Sequence, residues 1–237
     1  MSGGAAGGQR QHGHVGGHQH GGGPPDAGRA ALEDASLSTQ ERWEGFYVGR
    51  GERLWSGRPN VRLVDVVGPM TPGRALDLGC GEGGDAVWLA SRGWATTAVD
   101  VAPTAVARTQ AAAAAAGVDV VAEVHDLEHS LPPGPFDLVS AFFLMSPVEW
   151  DRGAAVRRAA ATLVPGGVLL LVDHGSVPPW SGFSGHEHAG AQQTLDELDL
   201  LPGEFETVRL DEPTREVTGP DGQVAEISDV VVLVRRR

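Results

Sequence analysis

One ten-residue segment, Ala75-Leu76-Asp77-Leu78-Gly79-Cys80-Gly81-Glu82-Gly83-Gly84, constrains the fold more than any other part of the chain. A short apolar run leading into clustered glycines, followed by Asp85 to Ser91 at helical spacing, predicts a buried strand, a tight turn and a helix. Glycine in such a turn lets backbone approach a ligand closely, because no Cβ stands in the way. The same segment also reads as a tight strand-to-helix turn that binds nothing.

The alternation continues on both sides. Asn60 to Val67 predicts a helix with Val61, Val64 and Val67 on one side. After the glycine turn come a strand at Ala95–Val99, an Ala-rich helix from Pro103 to about Ala116, and strands at Val120–Val124 and Phe136–Phe143. A helix from about Glu149 to Leu163 follows, closed by Pro165 and a Gly166-Gly167 turn, and then the wholly apolar Val168–Val172. Apolar strands alternating with helices imply a parallel, doubly wound α/β sheet covered on both faces. The pattern breaks near the end. Phe205–Leu210 and Ile227–Val234 are separated only by the turn-rich 211–223, too short for a crossover helix, so they should pair antiparallel.

Composition narrows the chemistry. The net charge is -13 and every one of the 18 basic residues is arginine. Lysine Schiff-base chemistry and a lysine-bearing phosphate loop are therefore excluded, and nucleic acid is not an expected partner because a phosphate backbone calls for a positive surface. Cys80 is the single cysteine, so no intrachain disulfide and no thiolate metal cluster can form. No apolar run reaches membrane-spanning length, and no basic region with an apolar run stands at the N-terminus, so a cytoplasmic location is expected. Residues 1–36, rich in Gly, Ala, Gln and His, are expected to be a disordered tail ahead of a domain at 37–237. His12, His14, His18 and His20 in that tail, and His186-Glu187-His188 further on, offer weak metal-binding chemistry or a merely polar surface; no metal is required.

Three acids fall where predicted strands end: Asp77, Asp100 and Asp126. Open α/β sheets bind ligands at that edge. Gly79, Gly81 and Gly84 also fit a nicotinamide-dinucleotide turn, so the glycines leave an oxidoreductase open. Asp77 favours S-adenosylmethionine (SAM), because a carboxylate beside the turn attracts a cationic methionyl group and repels a pyrophosphate. Asp100 is placed to accept both ribose hydroxyls or to cap the helix after it, and Asp126 to accept from the adenine amino group with Leu127 against the ring.

With these motifs in order, the chain resembles the class I SAM-dependent methyltransferases. The resemblance rests on Asp77 to Gly83, Asp100, Asp126-Leu127, Phe136-Asp137-Leu138-Val139 and Leu163 to Gly167. Within that family it is similar to the tellurite-resistance and thiopurine branch, through Arg42 to Tyr47 and Phe143-Leu144-Met145. The resemblance implies a seven-stranded sheet in order 3-2-1-4-5-7-6 with the last strand antiparallel. It also implies a SAM site built from Arg58, Asp77, Gly79, Cys80, Gly81, Gly83, Asp100, Val101, Asp126, Leu127 and Phe142, with S-adenosylhomocysteine as product.

Methyl transfer from a sulfonium is an in-line displacement, so positioning comes first and a base is needed only for a protonated acceptor. No catalytic base stands out. Tyr47, Trp55, Met145 and His174 are the acceptor-side candidates, although His174 reads equally as a core histidine and Arg58 as a surface arginine. Gly175 to Gly190 is long and aromatic, as a lid or an ordinary surface excursion would be. The expected acceptor is a small, soft molecule such as a thiol or a tellurium or selenium oxyanion. The alternative from another class is a non-catalytic SAM-binding or metal-sensing module.

Overall fold

The computed structural model describes residues 27–51, 54–181 and 188–237, starting in a short helix, α1 (Ala27–Glu33). Helix α1 thus lies within the segment 1–36 expected to be a disordered tail, of which residues 1–26 are outside the described residues. Leu32 packs against an aromatic cluster with Phe46 and Tyr47, and a Cβ added at Gly45 would lie 2.6 Å from the Ala31 Cβ, so α1 is seated on the next helix. That helix, α2 (Thr39–Gly49), starts in a capping box: Ser38 accepts from Glu41 N while the Glu41 carboxylate accepts from Ser38 N.

Helix α3 (Val61–Val67) is capped by Asn60, expected to be its first residue, and its rotation also differs from expectation. Leu63 and Val67 are buried, while Val61 and Val64 stay exposed. Two tethers set the rotation: Asn60 N donates to the Asp85 carboxylate (2.5 Å), and Arg62 Nε donates to Asp229 (2.9 Å).

The remaining elements are β1 (Arg74–Leu78), α4 (Gly84–Ser91), β2 (Ala95–Asp100), α5 (Pro103–Ala116), β3 (Val120–Val124), β4 (Phe136–Phe142), α6 (Arg152–Ala160), β5 (Leu163–His174), α7 (Ala191–Glu197), β6 (Phe205–Asp211), β7 (Thr214–Thr218) and β8 (Val224–Arg236). The strands lie in the order β3-β2-β1-β4-β5-β8-β6. The first five run parallel, and β8 is antiparallel to both β5 and β6. Numbered along this path alone, the order is the expected 3-2-1-4-5-7-6. The eighth strand, β7, lies in the stretch read as turns and pairs with the first part of β8.

Two boundaries are corrected. Helix α6 is shorter than expected, because the Asp151 carboxylate caps it from Ala154 N (2.8 Å) and the chain is already in the sheet at Leu163, opposite Phe136. Pro165-Gly166-Gly167 is therefore an irregularity within β5, between the pairings of Leu163 and Val168, and not a turn preceding it. Along β5 the two faces divide the core. Leu169 and Leu171 pack with Ala155, Val156 and Leu198, whereas Val168, Leu170 and Val172 pack with Leu63, Val67, Leu89 and Trp94.

Candidate SAM and acceptor site

The glycine turn joins β1 to α4 at the carboxyl edge of the sheet. Gly81 holds a left-handed φ of +55°, and a Cβ there would stand 3.2 Å from the Tyr47 hydroxyl and 3.4 Å from the Trp55 ring nitrogen. A Cβ on Gly79 would stand 2.5 Å from Leu144 Cδ1, so the loop after β4 closes on the same turn. Gly84 lies against the backbone carbonyl of Arg58, whose side chain is exposed.

Asp100, the last residue of β2, accepts from Gly81 N through Oδ2 and from Ala102 N through Oδ1, both at 3.0 Å. It thus ties the turn to the start of α5. Asp77 is buried in β1 and accepts from Ser140 Oγ of β4 (2.9 Å). Burial raises all three carboxyls of this cluster. Asp100 is pushed up to about 6 and Asp85 to about 7, while Asp77 is raised by burial and then by the charges of Asp85 and Asp100. A cation placed beside these groups would relieve their mutual repulsion, and a pyrophosphate would worsen it. The donor set therefore fits the sulfonium and ammonium of SAM and opposes a dinucleotide. The Cys80 thiol is pushed up by burial, then by Asp100 and Asp77, and packs on Thr109 Oγ1 at 3.5 Å.

Glu82 organises the wall opposite, and the sequence reading missed it. Its carboxylate accepts from Leu54 N and Trp55 N (2.8 and 2.9 Å) and pairs with Arg108 of α5 at 2.8 Å. Arg108 in turn donates to the carbonyls of Tyr47 and Gly51 and lies over the Tyr47 ring. The Tyr47 hydroxyl hydrogen-bonds Trp55, and its pKa is raised by burial and then by Asp100. The signal was available: an acid inside the glycine turn, and a lone arginine on an otherwise alanine-rich helix.

The other expected residues fall into two groups along the edge. Asp126 lies two residues past β3, where its carboxylate accepts from Glu128 N and meets His129 Nδ1, each at 3.0 Å. Leu127 is buried in the main core, and Val101 O accepts from Gln40. Over β4 and β5, Phe142 ends its strand and Phe143 takes a φ of +51°, stacking on His174 at 4.0 Å between centroids. Met145 follows in the same turn and is 50% exposed. Tyr47 and Trp55 thus meet at the glycine turn, whereas His174 sits two strands away beside Phe143. His12, His14, His18, His20, His186 and Glu187 lie outside the described residues, among which no group of three His, Cys, Asp or Glu side chains could hold a metal.

The Methyltransferase domain family matches residues 75–167, from β1 to the irregularity in β5. The 2-heptyl-1-hydroxyquinolin-4(1H)-one methyltransferase of Mycobacteroides abscessus is 33% identical over 156 residues, which cover 59% of this chain and 67% of that protein. The chain belongs to the class I SAM-dependent methyltransferases. The ribosomal RNA small subunit methyltransferase C of Chromohalobacter salexigens is also 33% identical, over 65% of this methyltransferase and 47% of its own length. The chain thus spans two thirds of the first relative and about half of the second.

Among solved structures, one described as "Conversion of a Disulfide Bond into a Thioacetal Group during Echinomycin Biosynthesis" shares the methyltransferase fold. It superposes with a TM-score of 0.65 at 24% identity, covering 84% of this chain and 92% of its own. TehB from Haemophilus influenzae superposes at 0.57 with 18% identity, covering 82% and 67%. At such identities both likenesses show the fold alone, so the tellurite-resistance branch gains nothing beyond the shared architecture. The methyltransferase uses SAM and yields S-adenosylhomocysteine.

Proposed function

We propose that this methyltransferase transfers the methyl group of SAM to a small-molecule acceptor in the crevice above β1, β4 and β5. The observation that carries the reading is the acidic cluster of buried Asp77 and Asp100 with half-buried Asp85, around a turn whose Gly81 N–H is held by Asp100. In this reading Asp77 and the turn residues Gly79, Cys80, Gly81 and Gly83 cradle the methionyl part, and Asp100 with Val101 holds the ribose. Asp126, Leu127 and Phe142 take the adenine, and Arg58 reaches the carboxylate. Asp100 takes backbone N–H groups on both oxygens, Val101 N among them, and keeps a lone pair for a hydroxyl donor.

A small acceptor agrees with the net charge of -13, which disfavours a nucleic-acid substrate despite the ribosomal RNA relative. A reducing, cytoplasmic setting suits the single buried thiol. Tyr47 and Trp55 at the turn support a second reading, a soft acceptor such as a thiol or a tellurium or selenium oxyanion, because aromatic faces exclude water and attract a sulfonium. The test is calorimetric titration with SAM and with NAD, followed by a screen of phenols, thiols, metalloid oxyanions and amines for SAM-dependent product. Binding of NAD in place of SAM would overturn the cofactor assignment, and SAM binding with no methylated product from any class would overturn the small-molecule reading.

A further inference from the structure

Neighbouring residues of a strand point to opposite faces. Asp173 belongs to the face of β5 that meets α6, where its Oδ2 accepts from Arg152 Nη1 at 2.6 Å, and Arg152 is held in turn by Glu197 of α7 at 2.6 Å. His174 belongs to the other face, stacked on Phe143. The imidazole of His188 lies near both: its ring stands edge-on to His174 at 6.3 Å between centroids, and it is close enough to Asp173 that a positive charge on it would favour the ionised carboxylate. A group near both faces must stand over the end of the strand. His188 is therefore at the carboxyl edge of β5, next to β4 and two strands, about 10 Å, from the glycine turn of β1.

Two buried polar atoms of this region, Asp173 Oδ1 and His188 Nε2, have no hydrogen-bond partner among the described residues. Native structures rarely leave such atoms unsatisfied without a role for them. Phe143 nearby holds a left-handed backbone that non-glycine residues adopt only at a cost, which presents a flat aromatic wall beside this pair.

Building on the methyl-transfer reading, we propose that His188, positioned by Asp173, takes the proton from a ring hydroxyl of the acceptor as that oxygen is methylated. The acceptor O–H bond breaks and its proton passes to Nε2 of the neutral imidazole. The oxygen lone pair forms the new O–CH3 bond while the C–S bond breaks, its electron pair staying on sulfur. The positive charge that left the sulfonium ends on His188, beside the Asp173 carboxylate. A phenol-type hydroxyl fits because its acidity is within reach of imidazole, whereas an aliphatic alcohol is far too weak an acid. In this proposal His188 and Asp173 supply the base that did not stand out in the sequence.

Two measurements on the full chain test this. With S-adenosylhomocysteine present and the pH below the ionisation of 4-nitrophenol, binding of that phenol raises nitrophenolate absorption in the wild type and not in His188→Gln. In SAM turnover at mildly alkaline pH, where nitrophenol is ionised and phenol is not, His188→Gln loses about 10²-fold or more with phenol and far less with 4-nitrophenol. Asp173→Asn shows the same dependence on acceptor ionisation at smaller size. Equal losses on both phenols, or a matching loss of SAM affinity, reduce His188 to a structural residue and overturn the proposal. Wild-type methylation of thiols with neither phenol turnover nor a nitrophenolate band overturns it while leaving methyl transfer intact. Failure to bind SAM removes the reading beneath it.

Discussion

Asp100 ties the glycine turn to the start of α5 and, in the proposed function, also holds the ribose. Its oxygens already hold Gly81 N and Ala102 N, so the ribose must share them. Asp100→Ala should weaken SAM binding by about 1–3 kcal/mol, measured by calorimetry with the fold checked by circular dichroism. Unchanged affinity would remove Asp100 from the site. Asp85 and Asp100, raised to about 7 and about 6, also make stability depend on pH. A carboxyl whose folded pKa exceeds its unfolded value of about 3.9 binds its proton more tightly when folded. Its contribution is full below the unfolded value and is lost as pH rises through the folded one. Between about pH 4 and 7 the ligand-free protein should lose stability in urea titrations, and Asp85→Asn should flatten that loss. Parallel slopes for the two proteins would contradict the burial account. A cationic ligand favours the ionised forms, so SAM should bind with release of protons near pH 6, seen as calorimetric heats that vary with the ionisation enthalpy of the buffer.

At the scale of elements, the strands of the parallel half were legible because each is mainly apolar and Gly79, Asp100 and Asp126 mark the ends of the first three, and their order followed from the resemblance. What escaped the sequence was decided by contacts distant along the chain. The rotation of α3 depends on Asp85 and Asp229, and β7 forms only because β8 runs long enough to pair with it beyond β5. The glycine turn and Asp100 were legible as a candidate site, but the places of Glu82, Arg108 and Asp173 beside it were not, since each pairs with a partner at least 20 residues away. Helix α1 was missed because seven residues with three alanines carry no clear apolar stripe; its stability comes from Ala31 against Gly45 and Leu32 against the aromatic cluster. Removing residues 1–36 should therefore lower the melting temperature, with removal of 1–26 alone as the control, because the aromatic cluster that carries Tyr47 loses its cover. Equal melting temperatures for the two truncations would show that α1 adds nothing. Ser38→Ala, which opens the capping box of α2, should cost about 1 kcal/mol in urea unfolding.

On the scale of the whole molecule, the strand order reverses at β1, with β2 and β3 on one side and β4, β5, β8 and β6 on the other. Ligands of open α/β sheets bind at such a point, across the carboxyl ends of the strands on both sides. Here the two sides carry different chemistry: buried acids over β1 and β2, and an aromatic and imidazole cluster over β4 and β5. A ligand bound on the acidic side touches β1, β2 and the segment held by Glu82, and so couples the segment at Leu54–Trp55 to the central sheet. Binding only the folded state stabilises it by mass action, about 2.7 kcal/mol when the ligand stands at 100 times its dissociation constant. For a chain of this size about 1 kcal/mol moves the melting temperature by roughly 2–4 °C. SAM at that excess should raise it by about 5–11 °C. S-adenosylhomocysteine should also raise it, because the turn and Asp100 meet the parts the two molecules share, and NAD should leave it unmoved because its pyrophosphate faces Asp77 and Asp100. A rise with NAD equal to that with SAM would mean that the acids do not select the ligand, and the assignment of the glycine turn would fall with it.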